Sequence, residues 1–126
     1  MKLETIKEKR DNNISKLEYA KSNIKYIRIQ LRKNLEYIND ILPFIKKLKK
    51  VKSCFNFIIH NWYFDKKYIN EIEKVEKRIE DYSNLYEKAI LKRKILKLKL
   101  KQTQREFTKR QKALKRFEKK YFNIEG

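Results

Sequence analysis

Residues able to do covalent or metal chemistry are few in this chain. There is one histidine, His60, two positions before Trp62, and one cysteine, Cys54, six positions before His60. A structural zinc needs four ligands, and this pair supplies two of them. A Ser/His/Asp set would have to be built on His60 itself, and a lone imidazole beside aromatic residues reads as structural. The acid pairs Glu71/Glu73, Glu76/Glu80 and Glu80/Asp81 could do acid–base work only in an enclosed pocket, and a charged surface helix gives them none. The expectation is a chain that is not an enzyme and uses no cofactor and no metal. Cys54 cannot form an internal disulfide, which fits a reducing compartment.

What the chain does offer is charge. Lys and Arg number 35 against 16 Asp and Glu, a formal net charge of +19. A chain this basic meets nucleic acid, an anionic membrane surface or an acidic protein groove. The excess is segregated. Residues 65–87 hold five Lys/Arg and seven Asp/Glu, a net of −2, whereas 88–120 hold fifteen Lys/Arg and two Glu, a net of +13. Lys46, Lys47, Lys49, Lys50 and Lys52 add a further basic cluster. A solvated helix face would also account for such a run.

The elements that carry this charge are legible in the spacing of apolar residues. Positions alternately three and four apart from Leu3 read Leu3, Ile6, Arg10, Asn13, Leu17, Ala20, Ile24, Ile27, Leu31, Asn34, Ile38, Ile41, Ile45 and Leu48. Eleven of these fourteen are apolar in a chain that is 40% hydrophobic, so the spacing is not chance. From Tyr68 the same template runs through Ile72, Val75, Ile79, Tyr82, Tyr86, Ala89, Arg93, Leu96, Leu100, Thr103, Phe107, Arg110, Leu114, Phe117 and Tyr121. Both are a/d heptad seams. One Gly and one Pro exclude a turn-rich β fold and any glycine-rich phosphate loop. The expected fold is all-α, an antiparallel two-helix coiled-coil hairpin forming one domain over 1–126. Helix one covers about 2–59, with a kink or break at Asn39–Leu42 before Pro43. Helix two covers about 66–122.

The turn falls within 52–65, either near Ser53–Asn56 with Ser53 as cap, or near His60–Asp65 with Asp65 capping helix two. The second makes the arms nearly equal and is preferred. In such a hairpin Glu4, Glu8 and Asp11 would lie near Arg105 to Lys120. The seam interruptions cluster towards the termini, so the open end should be the looser one. The first ten residues have no apolar core, so no secretory signal is expected. The longest apolar stretch, Phe55 to Phe64, is too short to span a bilayer, which takes ~20 residues.

Some apolar residues point off the seam. Leu91, Ile95 and Leu98 follow i, i+4, i+7 on the outer face of helix two, inside the most basic segment. Tyr19, Tyr26, Tyr37 and Phe44 align on helix one. Stripes of this kind suggest a further partner, and a third layer or a drifting heptad would produce them too.

A basic antiparallel hairpin of this length resembles the central stalk family of type III secretion systems, the FliJ, YscO and InvI/SpaM proteins. The residues that carry the resemblance are Asn61-Trp62 followed by Tyr68-Ile69-Asn70-Glu71-Ile72-Glu73-Lys74-Val75. With them go Leu35-Glu36-Tyr37 with Phe44, and the basic run Thr103-Gln104-Arg105-Glu106-Phe107 through Lys112-Ala113-Leu114. The resemblance covers about half the chain, which is shorter and more basic than FliJ. It implies a stalk that couples a hexameric export ATPase to the export gate and handles secretion chaperones. The location implied is cytoplasmic, peripheral at the inner membrane through the secretion complex. It places Met1–Lys21 and Arg105–Gly126 in the ATPase pore. Arg105, Lys109, Arg110, Lys112 and Arg116 are then the contacts to the pore or to another acidic partner. The apolar partner-binding stripe, read from spacing and not from the resemblance, is Leu91, Ile95, Leu98, Tyr19 and Tyr26.

Two other readings stand beside it. Lys88–Lys120 could form an electrostatic stripe for nucleic acid. Binding should then be weak, because Lys outnumbers Arg 27 to 8 and no base-reading motif is present. The Leu91 stripe with its lysines could instead lie on an anionic membrane.

Overall fold

A computed structural model describes residues 2–61 and 66–122, with side chains described for 2–58 and 69–122. The chain is all-α, an antiparallel helical hairpin of α1 (Leu3–Asn61) and α2 (Lys66–Tyr121). No strand occurs among the described residues. Neither helix contains a glycine, since Gly126 is the single one. Glu4 in the first turn of α1, and Lys119 and Lys120 in the last turn of α2, complement the helix dipoles.

The seams are where the helices meet. Every described position of both templates is buried or half-buried except Leu3, which is exposed. The chain divides into two compact units, Met1–Leu31 with Ile95–Gly126, and Arg32–Lys94.

In the Arg32–Lys94 unit, Ile38, Ile41, Ile45 and Leu48 of α1 are buried together with Ile72, Val75 and Ala89 of α2. Each large aliphatic removed from water contributes ~1.5–3 kcal/mol. Register is read from three cross-helix contacts: Asn34 with Ala89, Phe44 with Tyr82 and Lys52 with Glu76. Numbers rise on α1 as they fall on α2, so the pair is antiparallel. Asn34 occupies a seam position and is buried, and its Nδ2 donates to the carbonyl of Ala89 at 3.0 Å. Its Oδ1 is buried without a partner. A polar group of this kind lowers stability and fixes which turn faces which.

Of the kink or break expected at Asn39–Leu42, the break does not occur. α1 runs helical through Pro43. Pro43 and Asn39 are both exposed, so water can reach the Asn39 carbonyl that the missing N–H leaves free. Burial of Ile41 and Ile45 flanks the proline. The edge-on contact of Phe44 with Tyr82, with centroids 4.8 Å apart and planes at 76°, adds ~0.5–1.5 kcal/mol. Tertiary packing outweighs the local cost. The Ser53–Asn56 turn is likewise absent. α1 is helical there, and the Ser53 hydroxyl bonds back to the Lys49 carbonyl at 3.1 Å instead of capping a new helix. Asp65 and Trp62 lie outside the described residues, as do the side chains of His60 and Tyr68.

In the Met1–Leu31 and Ile95–Gly126 unit, the buried apolar residues are Ala20, Ile27 and Leu96. The seam beyond them, from Ile6 to Leu17 and from Leu100 to Tyr121, is half-buried. Burial along this stretch is less complete than at Ile38, Ile41, Ile45 and Leu48. Arg10, a polar interruption of the seam, is satisfied locally. Its Nε lies 3.2 Å from Glu118 Oε1, and its guanidinium sits 4.9 Å from the centroid of Phe122. The pairing expected of Glu4, Glu8 and Asp11 is not formed among the described residues, and the cross-helix pair has the opposite polarity.

Two substitutions test this account. Pro43→Ala restores a backbone bond on an exposed face, and stability measured by denaturant should rise by about 1–3 kcal/mol. An unchanged midpoint would mean that the proline costs the helix nothing. Asn34→Asp sets a carboxylate against the Ala89 carbonyl, and stability at neutral pH should fall by roughly 2–4 kcal/mol. Burial raises the introduced group's pKa above its unfolded value. Stability should therefore recover as the pH falls and the protonated carboxyl donates in place of the amide. A loss independent of pH would show that the Asn34 bond does not set the local balance.

Candidate functional site

The apolar residues singled out by spacing are on the surface. Leu91 is 59% exposed, Ile95 46%, Leu98 61%, Tyr19 70% and Tyr26 63%. Tyr37 and Phe44 are also exposed, and Phe44 sets its ring edge-on against Tyr82. Among the cations, Arg105, Lys109, Lys112 and Arg116 are exposed and take part in no ion pair among the described residues. Arg110 differs. It is half-buried on the seam, and its Nη2 lies 3.1 Å from Glu106 Oε1 one turn earlier.

Two adjoining grooves run between α1 and α2 in the Met1–Leu31 and Ile95–Gly126 unit. The first has a volume of about 560 Å³, and its rim carries Lys9 and Lys16 from α1 and Arg116 and Lys120 from α2. No carboxylate lines it. Its floor is Phe117 and Tyr121, whose rings pack at 4.8 Å, beside the small side chain of Ala113. The second groove, about 270 Å³, shares Lys16 and brings Tyr19 of α1 together with Gln102, Glu106 and Arg110 of α2. A third concavity of about 430 Å³ lies on α2, with Lys101, Arg105 and Lys109 around Gln104 and Thr108.

Tyr19, assigned to a partner by its spacing, and Arg110, assigned to an acidic partner through the resemblance, therefore line one groove, and Arg116 lines the next. Tyr26, Leu91, Ile95 and Leu98 line none of the three. The contribution of α1 to the basic surface escaped the reading of the sequence, which followed the +13 segment of α2 alone. A signal was present. Lys9 and Lys16 are one heptad apart beside the α1 seam, and Ala113 and Lys120 one heptad apart beside the α2 seam. Flanking positions of this kind face each other once an antiparallel register is fixed.

What the described surface offers is unpaired cations beside exposed apolar side chains. Among the described residues no group of His, Cys, Asp and Glu could hold a metal ion, and Cys54 is a free, exposed thiol. No helix among them is long and apolar enough to cross a membrane.

Because Leu91, Ile95 and Leu98 are outside the seam, replacing all three by Gln should leave the melting temperature within a few degrees of the parent, as is usual for surface changes within about ±0.5 kcal/mol each. A much lower melting temperature would place the stripe in a core.

Compared with known proteins, the chain matches no family model, no curated protein and no solved structure.

Proposed function

We propose that the chain is a non-enzymatic coiled-coil adaptor that presents unpaired cations to an acidic partner. In its sharpest form it is a central stalk of a type III secretion system, joining a hexameric export ATPase to the export gate. The observation that carries the reading is the set Arg105, Lys109 and Lys112. These three are exposed and without ion pairs on a helix whose other face is committed to the seam. Mutual repulsion among them opposes folding and is relieved when carboxylates approach. Lysine, a point charge on a flexible stem, suits a partner that must slide or turn past it more than one held in a fixed bidentate geometry. Arg110, expected in the same contact set, differs in having a partner already, Glu106 one turn earlier.

A nucleic-acid role has the net charge of 88–120 in its favour. Against it, Lys outnumbers Arg 27 to 8 and no base-reading motif is present.

The test adds the chain to a hexameric secretion ATPase and follows ATP hydrolysis. The rate should rise, and Arg105→Glu, Lys109→Glu and Lys112→Glu together should abolish the rise while the helical circular dichroism stays unchanged. No stimulation, with retention of a nucleic-acid oligomer at about 150 mM salt where non-specific phosphate contacts are strongly weakened, would replace this reading by the nucleic-acid one.

A further inference from the structure

We infer that the groove between Lys9, Lys16, Arg116 and Lys120 is a docking site for an acidic amphipathic helix of another protein, laid beside α1 and α2 as a third helix. The inference does not rest on the secretion-stalk reading. It rests on the groove's missing volume, its unsatisfied apolar floor and its unbalanced rim.

The groove exists because two side chains are small or polar where an antiparallel pair would otherwise be filled. Asn13 takes a seam position, and Ala113 presents a methyl group at the flank. Below them the seam is incompletely covered. Leu114, Phe117 and Tyr121 are half-buried, so two helices leave apolar surface that a third would remove from water. A helix is the shape that fits the furrow between two others, with its side chains entering the gap that Ala113 leaves.

The rim decides the occupant's charge. Four cations converge on a groove with no carboxylate in its lining, and Lys9, Lys16 and Arg116 are without ion pairs among the described residues. The Lys120 ammonium has only the face of Tyr121, at 5.1 Å, as its aromatic neighbour. Lys9 and Lys16 are one heptad apart, ~10.5 Å along the axis. The matching helix therefore carries Glu or Asp at a heptad interval, beside an apolar strip that reaches Phe117 and Tyr121. A second copy of this chain is disfavoured, because each carries +19 and its most acidic segment, 65–87, nets only −2. A nucleic acid would meet the rim lysines but leave the apolar floor uncovered.

The experiment uses the full chain and three labelled probes, read by fluorescence anisotropy at about 150 mM salt, where long-range attraction is screened. The first probe is a synthetic helix of roughly three heptads with Leu and Ala on one stripe and Glu beside it. The second is the same peptide with every Glu replaced by Gln, and the third is an oligothymidine. The Glu peptide should bind, and the Gln peptide should bind at least about tenfold more weakly. Lys16→Ala with Lys120→Ala should weaken the Glu peptide by about tenfold. Ala113→Gln should weaken it similarly while changing no charge, because it fills the gap. All these positions are exposed, so the circular dichroism should not move. Equal binding of the two peptides, undiminished binding by Ala113→Gln, tighter binding of oligothymidine, no binding of the Glu peptide, or a dimer of the chain in sedimentation that Lys16→Ala and Lys120→Ala dissolve would each overturn the proposal.

Discussion

Everything in this protein depends on the apolar seam that two long helices bury in each other. Helices of 59 and 56 residues with so many lysines have no other means of removing their aliphatic stripe from water. The seam also has to outweigh like-charge repulsion. Ion pairs do little of that work. Lys74–Glu71 and Arg110–Glu106 are local contacts within α2, Lys52–Glu76 crosses the helices in partly exposed surroundings, and such pairs are each worth ~0–1 kcal/mol. Cohesion is therefore apolar, and charge is left over for recognition.

A seam of near-identical Ile and Leu steps would let the helices slip by a heptad with little change in burial. Asn34 removes that freedom. Its amide finds an acceptor at Ala89, a residue small enough to let the backbone carbonyl be reached, and a slipped register would bury the amide against aliphatics. The unpartnered Oδ1 is the cost of that arrangement. Arg10 acts by similar logic near the termini, where Glu118 and the Phe122 ring hold a guanidinium that no apolar seam position would accept.

The fold was legible in the sequence because a three-and-four alternation over fourteen and sixteen positions leaves one packing solution. What spacing could not supply was the partner of each interruption. Asn34 read as a polar break, but Ala89 as its acceptor requires the register. Pro43 read as a kink or break because the local rule is steric; the helix continues through it, flanked by buried Ile41 and Ile45 and by the contact of Phe44 with Tyr82 across the hairpin. Spacing left Ser53 open as the less favoured of two caps, since hydroxyls that start helices also bond back to the preceding turn. The basic groove was half visible. Its α2 residues stood out by charge density, whereas Lys9, Lys16 and Asn13 join them only when the two chain segments are set side by side.

In the Met1–Leu31 and Ile95–Gly126 unit, the polar Asn13 on the seam and the small Ala113 beside it shape the inferred docking groove. An isoleucine at position 13 and a long aliphatic at 113 would fill the furrow, bury Phe117 and Tyr121 more fully, and leave the lysines on a featureless convex face. Asn13 and Ala113 instead leave apolar rings accessible from a furrow ringed by cations. Stability is given up in a way that yields shape and charge together. Shape without charge would admit any amphipathic helix, and charge without shape would admit any polyanion. Both demands in one groove restrict the occupant to a helix that is acidic on one edge and apolar on the next.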